Sequence, residues 1–108
     1  MNEDTDFSKY GKSFQETLAH IIFEDRPFSD QIEEVLDINF FELKYLRVFV
    51  DKVFDYKQKY EVHPSSDAMQ TIIRTSLEDE NEATRKQVRD YFIKINTLEA
   101  RDTDYIKE

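Results

Sequence analysis

Residues 39–56, Asn39-Phe40-Phe41-Glu42-Leu43-Lys44-Tyr45-Leu46-Arg47-Val48-Phe49-Val50-Asp51-Lys52-Val53-Phe54-Asp55-Tyr56, decide how the rest of the chain has to fold. Asn39 followed three positions later by Glu42 is a helix N-terminus signature: one side chain accepts from orphan N–H groups, and the glutamate reaches back. Set at 100° intervals, Leu43, Tyr45, Leu46, Phe49, Val50, Val53, Phe54, Tyr56 and Tyr60 spread over about half the helix circumference. A surface helix shows a narrower apolar stripe. This one needs several neighbours to cover it and is expected at the centre of the domain. Lys44, Arg47, Asp51, Lys52 and Asp55 are left to face water.

Upstream, Ser13-Phe14-Gln15-Glu16 fits a capping box, and Phe14, Leu18, Ile21 and Ile22 recur at helical spacing. A helix from about Phe14 to Glu24 is expected, with Ser13 as its cap. Pro27 suits the first turn of a second helix, whose apolar face is Phe28, Ile32, Val35 and Leu36. Downstream, Glu61-Val62-His63-Pro64 interrupts the pattern as an extended link. Ser65 or Ser66 then caps a short helix bearing Met69, Ile72, Ile73 and Leu77. Glu78 to Glu82 is a polar connection with carboxylates at the next helix's N-terminus, the favourable end of its dipole.

The last long helix is expected from about Glu82 to Leu98. Thr84, Val88, Tyr91, Ile95 and Leu98, spaced by 4, 3, 4 and 3, make a heptad-like seam along it. Glu99–Thr103 reads as a turn and Asp104–Glu108 as the start of a returning helix. The expected organisation is a flexible acidic leader (1–12), a globular helical domain (13–80), and the first helix and start of the second helix of a hairpin (81–108). The fold class is all-α: a small orthogonal helical domain with a long central helix, followed by a truncated helical hairpin.

Composition agrees. A chain of 108 residues is one domain with a real core, and one glycine and two prolines favour helices with short connections. The absence of cysteine rules out a disulfide framework or a cysteine-based metal site and fits a reducing compartment. No apolar run approaches the ~18 residues of a membrane span, and the acidic start is unlike a secretory signal. The expectation is a cytoplasmic protein with no membrane attachment. A net charge of −9 argues against strong nucleic-acid binding, because phosphate contacts need a positive field.

The candidate chemistry is thin. Gly11-Lys12-Ser13 matches the end of a phosphate-binding loop, but Asp6 stands where its first glycine belongs and no strand precedes it. His20 and Glu24, four apart, could supply two metal ligands but lack a partner motif for a third and fourth. His63, before Pro64, reads as a packing or capping group. The acidic run Glu78–Glu82 has no glycine for a calcium loop. Arg85, Lys86, Arg89 and Lys94 make a basic stripe. Glu82 with Lys86, Lys86 with Asp90 and Asp90 with Lys94 are i,i+4 pairs that would neutralise it. No catalytic residue, metal or cofactor is expected within these residues.

The order of elements in Leu18–Ile73, LAHIIFEDRPFSDQIEEVLDINFFELKYLRVFVDKVFDYKQKYEVHPSSDAMQTII, resembles the N-terminal domain of DnaB-type replicative DNA helicases, most like the phage versions. The marker positions are the acidic turn Phe23-Glu24-Asp25, the step Asn39-Phe40-Phe41 before an aromatic-rich helix, and Pro64-Ser65 before a short one. The likeness spans roughly residues 14 to 108. It implies a non-catalytic domain that helps form a hexamer collar and a platform for primase or a helicase loader, with the ATP-driven motor beyond residue 108. If phage-encoded, it would act in the cytoplasm of a bacterial host. It also implies that other helicase subunits are partners, through an oligomer seam of Val88, Tyr91, Phe92, Ile95 and Leu98. Of these, Val88 and Tyr91 are expected to pack in part on the globular body, while Ile95 and Leu98 meet the returning helix from Asp104 and then a neighbouring subunit's hairpin. The alternative is a self-contained small helical adaptor or inhibitor that binds a single protein partner.

These 108 residues are therefore expected to turn over no ATP and to unwind no DNA. A phosphate-release assay checks this: turnover that disappears in Lys12→Ala would revive the phosphate-loop reading.

Overall fold

Helices account for the regular structure of the computed structural model, which describes residues 11–107, the side chains as far as Thr97. They are α1 (Gly11–Glu24), α2 (Arg26–Glu33), α3 (Lys44–Tyr60), α4 (Ser66–Thr75) and α5 (Glu82–Lys107), with a 3-10 turn at Ile38–Phe40. No strand occurs among the described residues, so the fold is all-α. Most of the acidic leader expected over 1–12 lies outside the described residues, but Gly11 and Lys12 belong to α1.

The central helix is α3, which touches α1, α4, α5 and the 3-10 turn. Tyr45, Leu46, Phe49, Val50, Val53 and Phe54 are buried, as the periodicity predicts, and Val48 joins them. Tyr60, expected on the apolar face, is exposed near the helix end, where it stacks on Tyr56. The ring of Phe49 is wholly enclosed. It meets Phe23 at 5.7 Å and Tyr91 at 5.2 Å, both edge-on, and Phe92 at 6.5 Å. Edge-to-face pairs of this kind add to area burial, so Phe49 ties α1, α3 and α5 together.

Helix ends differ from the sequence reading in instructive ways. Gly11 sits at φ +81°, a left-handed conformation that suits glycine, and α1 begins there. Ser13 is consequently inside the helix and not its cap, and Glu16 is engaged elsewhere. Asn39 does not open α3 either. Asp37 accepts from the Asn39 N–H to cap the 3-10 turn, and α3 starts five residues beyond Asn39, at Lys44, with no side-chain cap on Leu43. A distant side chain replaces the local one: Gln15 Oε1 accepts from the N–H groups of Glu42 (2.9 Å) and Leu43 (3.3 Å). Local side chains do cap three other starts, of which Ser65 alone was among the expected caps. Asp25 caps α2 with Pro27 in its first turn, Ser65 caps α4, and Asn81 accepts from Thr84 N–H to open α5.

The expected hairpin is corrected. The turn placed at Glu99–Thr103 is absent, because α5 runs unbroken from Glu82 to Lys107. No glycine or proline interrupts residues 82–107, and a run of charged residues is no breaker by itself. Val35, assigned to the apolar face of the second helix, is 79% exposed because α2 ends before it at Glu33.

Phe49→Ala is expected to cost about 3–5 kcal/mol through lost burial and the cavity left among three rings. That is a large share of the roughly 5–15 kcal/mol that holds a typical domain folded. Urea unfolding checks it; a variant melting with the parent would mean that Phe49 is not the centre of the core.

Candidate functional site

Four residues of the expected oligomer seam lie in the chain's own core. Val88, Tyr91, Phe92 and Ile95 are 0%, 3%, 5% and 2% exposed. Tyr91 packs on Tyr45 and Phe49, and Phe92 on Phe23 and Phe49. Packing of Val88 and Tyr91 on the globular body matches the sequence reading. Burial of Ile95 does not, since it was expected to await a returning helix. Leu98 lies in α5 beyond the described side chains. Among the described side chains of α5, the large apolar one presented outward is Ile93, 62% exposed and absent from the seam.

Polar groups are gathered where α1, α3 and α5 meet. Glu16 receives Tyr45 Oη at 2.6 Å on one carboxylate oxygen and Lys94 Nζ at 2.8 Å on the other. Its main-chain carbonyl accepts from Tyr91 Oη. Burial works against the Glu16 carboxylate, yet the hydrogen bonds from Lys94 and Tyr45 outweigh it and hold the carboxyl below its ordinary range. Burial, helped by the Glu16 charge, pushes both phenols up. Neither is a proton donor near neutral pH; they serve as neutral hydrogen-bond donors.

A second polar knot fastens α2 to α3. Lys57 is buried along its stem, and its ammonium donates to Ser29 Oγ (2.9 Å) beside Asp30 (2.6 Å) and Glu33 (3.0 Å). That matches the three donors of an ammonium, so its burial is compensated. The hydrogen bond from Lys57 also holds the Asp30 carboxyl low.

The histidines take structural roles. His63 Nε2 bonds the Phe23 carbonyl at the end of α1 and its ring stacks on Phe23, which is the packing and capping role expected of it. His20 lies 3.7 Å from Glu24, and no group of three potential metal ligands occurs among the described residues. In the acidic run, Glu80 pairs with Lys44 at 3.5 Å.

The basic stripe of α5 divides in two. Lys86 is neutralised by Asp90 at 2.8 Å, as the spacing predicts, whereas Lys94 crosses to Glu16. Arg85 and Arg89 have no carboxylate within 4.0 Å among the described residues, and neither does Arg74 of α4. These three arginines converge. Ile73, Arg74, Arg89, Phe92 and Ile93 line a groove of about 240 Å³ between α4 and α5. An adjoining hollow of about 210 Å³ shares Ile73, Arg74 and Arg89 and adds Leu77 and Arg85 together with Glu78 and Glu82. The linear sequence could have offered Arg85 and Arg89, one turn apart, but not Arg74, which the α4–α5 pairing brings alongside.

Glu16→Gln removes the charge and keeps an acceptor. With the folded pKa depressed, the Glu16 interactions stabilise fully above the ordinary carboxylate range and fade as pH falls through the folded value. The variant is expected to be less stable than the parent by about 1 kcal/mol near neutral pH, and the gap should narrow as pH falls below the ordinary carboxylate range. Denaturant unfolding along that range checks it; a gap constant with pH would show that the charge contributes nothing.

No helix among the described residues is long and apolar enough to cross a membrane. Compared with protein-family models, with curated proteins and with solved structures, the chain matches none.

Proposed function

We propose that this chain is a non-catalytic, partner-binding helical domain, of the kind that the resemblance to DnaB-type helicase N-terminal domains implies: a collar and platform element for other subunits and for primase or a loader. The observation that carries the binding part is the division of labour on α5. Its inner face is spent on the core, while its flank holds the exposed Ile93 in a groove with Arg89 and with Arg74 of α4, neither of which has an ion-pair partner among the described residues. His63 and the buried Lys57 are engaged in bonds that tie separate elements together.

One observation favours the second reading, a self-contained adaptor. Tyr91, Phe92 and Ile95 complete the core of a single chain, so the fold stands without a neighbouring hairpin. The two readings separate in the gene. A G-x-x-x-x-G-K-[ST] motif within about 150 codons after Glu108 supports the helicase reading. A stop codon there overturns it and leaves the adaptor.

Self-association follows from the same geometry. Ile95→Asp would bury an unpaired charge in the core and report on folding, so Ile93→Asp is the informative variant. The chain alone is expected to be a monomer or weak dimer at micromolar concentration. Any dimer seen by light scattering should dissociate in Ile93→Asp; a dimer indifferent to that change would place the contact elsewhere.

A further inference from the structure

We propose that the α4–α5 groove docks an acidic amphipathic helix of a partner protein. The inference rests on the partner-binding reading and names the partner's chemistry. The groove is built from two antiparallel ridges. Ile73 and Arg74 of α4, with Leu77 just beyond its end, lie across from Arg85, Arg89 and Ile93 of α5, and Phe92 is in the lining between them. From Arg85 to Asn96, α5 advances eleven residues, or about 16 Å at 1.5 Å each, which matches three turns of a third helix laid alongside. A helix entering such a groove presents apolar side chains at i, i+3, i+4 and i+7.

Charge fixes the rest. The chain carries a net −9, yet the groove itself is lined by Arg74 and Arg89 and, among the described residues, by no carboxylate. Arg85 stands in the adjoining hollow, where Glu78 and Glu82 also line the wall, but neither lies within 4.0 Å of an arginine among the described residues. Guanidinium groups offer planar, paired donors to carboxylates, so glutamates or aspartates flanking the partner's apolar stripe would complete what the domain leaves open. A nucleic-acid backbone fits less well. It would leave the exposed Ile93 without apolar contact, and it would approach against the negative field of the whole domain. Lys86 and Lys94 of the same helix do not compete, being paired with Asp90 and Glu16.

The test uses two synthetic helical peptides of about 18 residues. Both carry leucine at i, i+3, i+4 and i+7; one has glutamate and the other lysine at the remaining positions. Each is titrated into the chain with isoleucine methyl groups labelled for NMR. The glutamate peptide is expected to shift Ile73 and Ile93 and to leave Ile21 and Ile32, on α1 and α2, in place. Its affinity should fall about tenfold in Arg89→Glu and in Arg85→Gln, and again with added salt. The far-UV spectrum of each variant shows whether it is folded, and Arg74→Gln serves as a third probe if either is not. Four results would overturn the proposal: no binding of the glutamate peptide, equal binding of the lysine peptide, shifts centred on Ile21 and Ile32, or a DNA duplex producing the Ile93 shift with the same arginine dependence. The outcome is separable from the helicase reading, which the downstream reading frame decides.

Discussion

The segment Phe41–Leu43 must be held in one conformation before α3 can start where it does, and two side chains hold it from opposite sides. Gln15 Oε1 takes the N–H groups of Glu42 and Leu43, while Arg47 Nη1 donates to the carbonyls of Phe41 and Glu42 at 2.8 and 3.0 Å. Gln15 is wholly buried and Phe41 beside it is too. An unpaired main-chain group costs about 1–3 kcal/mol when fully buried, and less at these partly buried positions, where the contact of Arg47 with the Glu42 carbonyl is exposed. The register of α3 therefore depends on α1 being docked. Docking is secured by the next residue, since Glu16 binds Tyr45 of α3 and Lys94 of α5. Two adjacent residues thus set how three helices meet.

This dependence explains what could be read from the amino-acid order and what could not. The apolar period of α3 identified it as the central helix, and Asp25, Ser65 and the link around His63 punctuate the chain through local chemistry. Local chemistry misled where a tertiary partner took over. Ser13 with Glu16 has the form of a capping box, but Glu16 gains more from a tyrosine and a lysine on other helices, and Gly11 lets α1 begin earlier. Asn39 with Glu42 has the same form, and Gln15 took over the fixing of the chain just ahead of α3. A glutamine inside an amphipathic stretch gives no sign that its amide oxygen will serve a segment 27 residues away.

Lys57 went unread for a related reason. A charged residue on a helix is assigned to water by default, and only the assembly of Ser29, Asp30 and Glu33 opposite it makes burial tolerable. The α4–α5 groove was half legible. Pairing rules along α5 accounted for Lys86, but they matched Lys94 with Asp90, whereas it serves Glu16. The same rules say nothing of Arg85 and Arg89. Those two acquire meaning when α4 folds back and sets Arg74 beside them.

The burial of the heptad-like seam limits how the chain could assemble. To offer Tyr91, Phe92 and Ile95 to a second copy, α5 would have to lift from α3 and α1. Exposing three large apolar side chains costs about 1.5–3 kcal/mol each, which approaches the whole stability of a small domain. Such an exchange is tolerable only if the neighbour's α5 fills the same space, as in a domain swap. Simple side-by-side contact must use surfaces that the core does not need. On α5 the flank around Ile93 meets that condition within the described side chains, and the backbone of the helix continues past Thr97 to Lys107. A heptad pattern in the sequence therefore marks the side of α5 that the fold consumes, and the side that remains for a partner is the one the pattern leaves out.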